Sequence, residues 1–374
     1  MNRRSFLASP VLAAPVLTGL APAVFAAGER GPVVTTGDGI PHTPEEYSDV
    51  LKKLSGGITP DSYSREGVVA TLEAKVAAAL GKETAVWLPT GTLANHLAVR
   101  LLASEKRRVL VQHECHLFND CGDCCQTLSG LHLVPLGHGK ATFTAAEVED
   151  ELRRGDSGRV AVPIGALQIE TPVRRKNGES FDLAEMKKIV AWAHEHRVGL
   201  HLDGARLYLA AGHGTTTVRE YAAMFDTVYI SMYKYFNAAS GAILAGPKNL
   251  LDDLYHTRRM FGGGLSHVWP FAAVALHFFD GFEERYRGAV ACSERVISSL
   301  NEDRRFEVRR VPNGTNIFLL RAKNSDPSAF RKHAQDAGLR LGEPRDGWFS
   351  LNVNETWNRA SSGEIMDRLR KSLS

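Results

Sequence analysis

Val198-Gly-Leu-His-Leu-Asp203 is an apolar run closed by a carboxylate, and Gly204-Ala-Arg-Leu207 follows at once. About thirty residues on, Thr227-Val-Tyr-Ile-Ser231 leads into Met232-Tyr-Lys-Tyr-Phe-Asn237. Both runs have the length and β-branched content of buried strands. A carboxylate at the end of such a strand needs a partner, because burying it charged and alone costs several kcal/mol. A salt bridge to Arg206 or another nearby base is the ordinary solution. Lys234 sits among aromatics just past a strand. Partial desolvation there lowers a lysine's pKa and supplies the free amine that Schiff-base formation requires, whereas an ordinary lysine would extend to solvent.

Outward from these runs, strands alternate with helices. Val68, Leu72, Val76 and Leu80 recur every four residues and predict a helix that Gly81 ends. Strands are expected at Thr84–Leu88, Arg108–Gln112, Leu131–Pro135, Val160–Ile164, Ala166–Glu170 and Gly241–Ala245, with a helix from about Thr92 to Ser104. Asp182 with Glu185 three residues on has the pattern of a capping box, opening a helix with Leu183, Met186, Val190 and Ala193 on one face. The alternation implies an α/β fold with a mostly parallel sheet covered on both faces, its catalytic residues at the carboxyl ends of the strands. From about Pro270 the pattern changes to a long helical stretch, then strands near Asn316–Leu320 and Trp348–Val353, a smaller C-terminal α+β domain. The expected division is residues 1–26, a signal; 27–60, an arm; 61–270, a large domain; and 271–374, a small one.

The N-terminus has the form of a twin-arginine export signal. Arg3 and Arg4 precede an apolar stretch from Val11 to Ala27, with Val24 and Ala26 at the −3 and −1 positions of a cleavage site. Its removal takes two arginines from a net charge of +3, leaving 3 − 2 = +1. The expected location is periplasmic or secreted, or cytoplasmic where the signal is not used. The small charge and the absence of a dense Lys/Arg stripe argue against nucleic-acid binding. No other run is apolar enough for a transmembrane helix in the mature chain. Four of the five cysteines cluster at Cys115, Cys121, Cys124 and Cys125, beside His113 and His116. Their spacing matches no standard zinc site, so no metal is expected; one disulfide is possible, with its pairing unreadable.

Pro89-Thr-Gly-Thr92 joins a strand to a helix. Free amides at a helix N-terminus, a glycine permitting close approach and threonine hydroxyls would form a phosphate cradle. Such turns also merely connect elements.

Taken together and in this order, these pieces resemble the threonine aldolase and β-eliminating lyase group of fold-type-I pyridoxal-phosphate (PLP) enzymes. The similarity runs from about Asp61 to Gly264. It is carried by Asp61-x-Tyr63 with Leu72-Glu73, Leu88-Pro-Thr-Gly-Thr-Leu-Ala-Asn95, Cys115-His-Leu117, Leu200-His-Leu-Asp-Gly-Ala-Arg-Leu207, Ser231 to Lys234 with Gly241-Ala, and Arg258-Arg-Met-Phe-Gly-Gly-Gly264. The resemblance implies that Lys234 binds PLP as a Schiff base and moves protons, and that Asp203 pairs with the pyridinium nitrogen, keeping the ring an electron sink. It implies that His116 stacks on the ring and is a candidate base for a substrate hydroxyl, and that Gly91 and Thr92, with Thr90, hold the phosphate. Arg206 would grip the substrate carboxylate with its planar fork.

The departures lie on the substrate side. An arginine the family usually carries late in the small domain falls at Ser350, with Arg345 nearby. Asn119, Asp120 and Cys121 stand where a Tyr-Glu pair is usual, Leu265-Ser-His267 where Met-Arg-Gln is common, and Ser64 where a glycine is typical. The expected reaction is retro-aldol cleavage of a threonine-like β-hydroxy-α-amino acid to glycine and an aldehyde. β-Elimination, or another reaction at Cα or Cβ, is the alternative; an amino-acid-binding protein without turnover is a third reading. The resemblance also implies a homodimer or homotetramer.

Overall fold

The structure, a computed structural model, describes residues 31–373; the twin-arginine pair and the cleavage site lie outside them. The helix marked by the four-residue repeat spans Gly67–Leu80 and buries Val68, Leu72, Val76 and Leu80. Gly81 stops it in the left-handed conformation, φ 67°, returning its N–H to the carbonyls of Ala77 and Ala78. The next helix, Gly91–Ala103, is capped by the Thr90 hydroxyl, which accepts the N–H of Leu93. At Asp182 only half of the expected capping box forms. The Asp182 carboxylate accepts the Glu185 N–H, but the Glu185 carboxylate turns away to accept the N–H of Ala145 at 3.0 Å.

Seven strands form the central sheet: β1 (Thr84–Leu88), β2 (Arg108–Gln112), β3 (His132–Leu136), β4 (Ile164–Glu170), β5 (Gly199–Asp203), β6 (Thr227–Ser231) and β7 (Ala242–Gly246). Their order is β1-β7-β6-β5-β4-β2-β3, and every pairing is parallel except the two made by β7. Nearly every residue of β4 to β7 is buried, as expected for strands covered on both faces. The two strands expected over Val160–Ile164 and Ala166–Glu170 are one. Pro163 brings no N–H to a ladder, and the segment before Ile164 is loop, with Val160 79% exposed. One strand therefore begins where two were expected to meet.

Beyond the sheet, helices Trp269–Phe279 and Phe282–Glu302 lead to an antiparallel three-stranded sheet in the order Phe349–Asn352, Ile317–Ala322, Phe306–Arg310. Asp61 fastens the start of the first of these helices. Its buried carboxylate accepts the N–H groups of Ser64, Val268 and Trp269 at 2.7–2.8 Å. Ser64, standing where a glycine is typical, has φ 58°, in the left-handed region that favours glycine; its hydroxyl donates to the Leu265 carbonyl at 3.0 Å.

The N-terminal arm bridges both sheets. Val33–Val34 runs parallel to Leu339–Arg340, and the Thr35 carbonyl accepts the N–H of Asn352. Farther along, Ile40 donates its N–H to Asn237 at 2.8 Å. A Cβ on Gly39 would collide with the Lys234 carbonyl and the Asn237 amide oxygen, so only glycine permits this close crossing.

Candidate active site

Glu170 ends β4, Asp203 ends β5 and faces Glu170 in register, and Lys234 follows β6 by three residues. Parallel pairing thus brings together groups far apart in the chain. A cavity of about 550 Å³ opens over these strand ends. Its wall includes Lys234, Asp203, His116 and Arg206, with Thr36 to Pro41 of the arm along one side. Thr90, Gly91 and Thr92 are not in that wall. They connect to it through Tyr229, which lines the cavity and packs so closely on Gly91 that a Cβ there would overlap its hydroxyl.

Burial, and then the neighbouring Arg206 charge, lower the Lys234 pKa to about 8. The ammonium lies 5.7 Å from the Tyr233 ring centroid. Asp203, 1% exposed, accepts from the Asn95 amide at 2.7 Å and from the Ala205 N–H at 3.1 Å. The salt bridge considered between Asp203 and Arg206 is not formed. Arg206 instead donates its Nε to Asp38 of the arm at 2.7 Å, and Asp38 also accepts from Asn316 at 3.2 Å. A carboxylate gripped by the Nη groups of Arg206 would leave that pair intact.

His116 opens a short helix and donates its N–H to Glu170 at 2.6 Å. Its ring contacts Asp120 at 3.4 Å and hydrogen-bonds the Cys121 thiol; the thiol contact is the main cause that raises its pKa. Burial, reinforced by the Asp203 charge, raises that of Glu170. Arg174, also at the cavity wall, is held by Asp120. Ser350 is exposed on an edge strand opposite Leu319, and Arg345 pairs through its backbone with Trp348; neither lines the cavity. All five cysteines are free thiols, Cys121 lying 3.7 Å from the Thr92 hydroxyl. Among the described residues no three His, Cys, Asp or Glu side chains are placed to hold a metal ion.

The residues fit PLP. Thr90 engages Leu93, while the amides of Gly91 and Thr92 fall in a first helical turn, which has no intrahelical acceptors for them. The absence of a Cβ at Gly91 lets Tyr229, a residue of the cavity wall, pack against this turn, an amine of lowered pKa stands just past one strand end, and a carboxylate at the next.

Sequence reasoning missed Glu170, Asp38, Asn95, His201 and Arg174. Glu170 carries the signal that marked Asp203, a carboxylate ending an apolar strand. Asn95 and His201 stand inside the quoted motifs without an assigned role. Asp38 has no local signal, being 168 residues from Arg206.

A mostly parallel sheet of this order, with a lysine and an aspartate at adjacent strand ends, defines a fold-type-I PLP-dependent enzyme. The profile of the beta-eliminating lyase family matches residues 56–323, and the chain belongs to that family of PLP-dependent lyases. It is 26% identical to the low specificity L-threonine aldolase of Saccharomyces cerevisiae over 77% of this chain and 74% of that one. It is 30% identical to an alanine racemase of Cochliobolus carbonum, over 63% of this chain and 59% of the relative. A solved structure assigned as an L-allo-threonine aldolase from Listeria monocytogenes superposes with a TM-score of 0.74 at 26% identity, covering 93% of this chain and 97% of that one.

Proposed function

We propose that the protein cleaves a threonine-like β-hydroxy-α-amino acid to glycine and an aldehyde. The observation that carries this reading is the convergence of Lys234, Asp203, His116 and Arg206 on one cavity. Threonine aldolases among the relatives support it. PLP, when bound, supplies an electron sink for the pair released as the Cα–Cβ bond breaks. Lys234 would hold the cofactor, and its lowered pKa lets the amine accept and return protons near neutrality. Asp203 would face the ring nitrogen, held there by Asn95 and Ala205. Arg206, set by Asp38, would grip the substrate carboxylate and so orient the Cα substituents. His116 would take the β-hydroxyl proton through its neutral ring; its raised pKa places the acid limb of activity above the ordinary histidine range.

Protein supplied with PLP should show a visible band from lysine-bound cofactor and a longer-wavelength band on adding glycine. L-Threonine or L-allo-threonine should then yield glycine and acetaldehyde in equal amounts. A 2-oxo acid and ammonia in their place would establish elimination. Lys234→Ala should abolish turnover in either case; retained turnover would remove its assigned role. The twin-arginine motif supports export of the folded enzyme with its cofactor already bound, which cell fractionation would test.

A further inference from the structure

A chain of buried polar groups reaches Asp203 from the side away from the cavity. His201 and Asp203 stand two residues apart on β5 and so point to one face of the sheet. Asn95, on the Gly91–Ala103 helix, spans them. Its amide nitrogen is 2.7 Å from Asp203 Oδ2, and its oxygen is 2.8 Å from His201 Nε2. On the far side, His201 Nδ1 is 2.8 Å from the hydroxyl of Thr227, its register partner on β6. Asn95, His201 and Thr227 are wholly buried.

The charge at one end dictates every proton along this chain. An ionised Asp203 is acceptor-only, so the Asn95 NH₂ must face it and the Asn95 oxygen must face His201. That oxygen requires a proton on His201 Nε2, which leaves Nδ1 as acceptor of the Thr227 hydroxyl. Reversing the Asn95 amide would set oxygen against carboxylate and require a protonated Asp203. Burying three polar groups behind one carboxylate is costly unless each is paired, and here the pairing has one consistent direction.

We propose that Asn95, His201 and Thr227 are positioning residues, a buried relay that fixes the orientation and the ionised, acceptor form of Asp203 where it faces the cofactor ring. The inference rests on the role given to Asp203 above. Burial lowers the His201 pKa to about 4, so the relay carries no charge of its own over the working range. The other charged groups around Asp203 are Glu170 from β4, Arg206, Lys234 and His116. The same helix offers Gly91 and Thr92 at its start, so the phosphate end and the ring end of the site share one rigid element.

Thr227 lies at the far end of the relay, where a change touches neither cavity nor cofactor. Thr227→Val keeps the shape and removes the hydroxyl; Thr227→Ser keeps the hydroxyl. In ¹⁵N-histidine-labelled enzyme supplied with PLP, His201, identified by the signal that His201→Gln removes, should be neutral with its proton on Nε2. Thr227→Val should weaken PLP binding by about three- to tenfold, the value of one buried hydrogen bond. It should also raise the pH midpoint of the visible band, because a less firmly held Asp203 leaves the ring less fully protonated. Thr227→Ser should restore both. A proton on Nδ1, or a Thr227→Val enzyme that loses thermal stability while band and affinity stay unchanged, would overturn the relay. If no visible band forms in the wild-type protein, the PLP reading fails, and the tautomer alone decides the relay.

Discussion

PLP should load onto cofactor-free protein with a pH midpoint set by Lys234. Only the neutral amine attacks an aldehyde, and burial together with Arg206 lowers the Lys234 pKa from 10.5 to about 8. At pH 7 about one lysine in ten is then neutral, against about one in three thousand for an unperturbed side chain. From pH 7 to 9 the neutral fraction rises about tenfold and levels off, whereas an ordinary lysine would gain about a hundredfold and keep climbing. Growth of the visible band after stopped-flow mixing measures the rate, normalised to a low-pKa amine that stays neutral from pH 7 to 10 so that titration of PLP itself cancels. Arg206→Met should move the midpoint upward by removing the second cause of the shift. A normalised rate that climbs without a plateau through pH 10 would refute the desolvation argument, even if the protein binds PLP.

Gly91→Ala should displace the Tyr229 hydroxyl and cost about 1–3 kcal/mol by overpacking, read as a lower denaturation midpoint, together with a larger loss of PLP affinity. Asp61→Ala should cost roughly 3 kcal/mol in chemical denaturation, because three backbone N–H groups lose one buried charged acceptor. Tyr63, Met260 and Leu265 are exposed apolar side chains, and Tyr63 and Leu265 lie close together through the Ser64–Leu265 and Tyr63–Ser266 contacts. For a homodimer built on this face, light scattering should give twice the 40.9 kDa chain mass, and Met260→Glu should lower it; a monomer at full activity would refute the assembly.

Much of the architecture was legible because local rules and long-range packing agree. Strands closed by Asp203 and Ser231, and the glycine stop at Gly81, follow from burial and backbone sterics within a few residues. Val160–Ile164 was misread for a local reason: β-branched composition outweighed the proline that keeps the segment out of the ladder. At Asp182 the helix start was foreseen, while Glu185 went to Ala145 because a distant amide offered a better partner than the local one. The pairing considered for Asp203 and Arg206 failed similarly, since Asp38 arrives from an arm that carries no sequence signal of its own. By itself, then, the sequence marked the residues proposed to carry chemistry, because a lysine and a carboxylate at strand ends are local facts. Only the tertiary structure decided their partners. Hydrogen bonds and charges act through space: parallel pairing set Glu170 beside Asp203, a helix brought Asn95 to it, and the arm brought Asp38 to Arg206, all from positions the chain order keeps far apart.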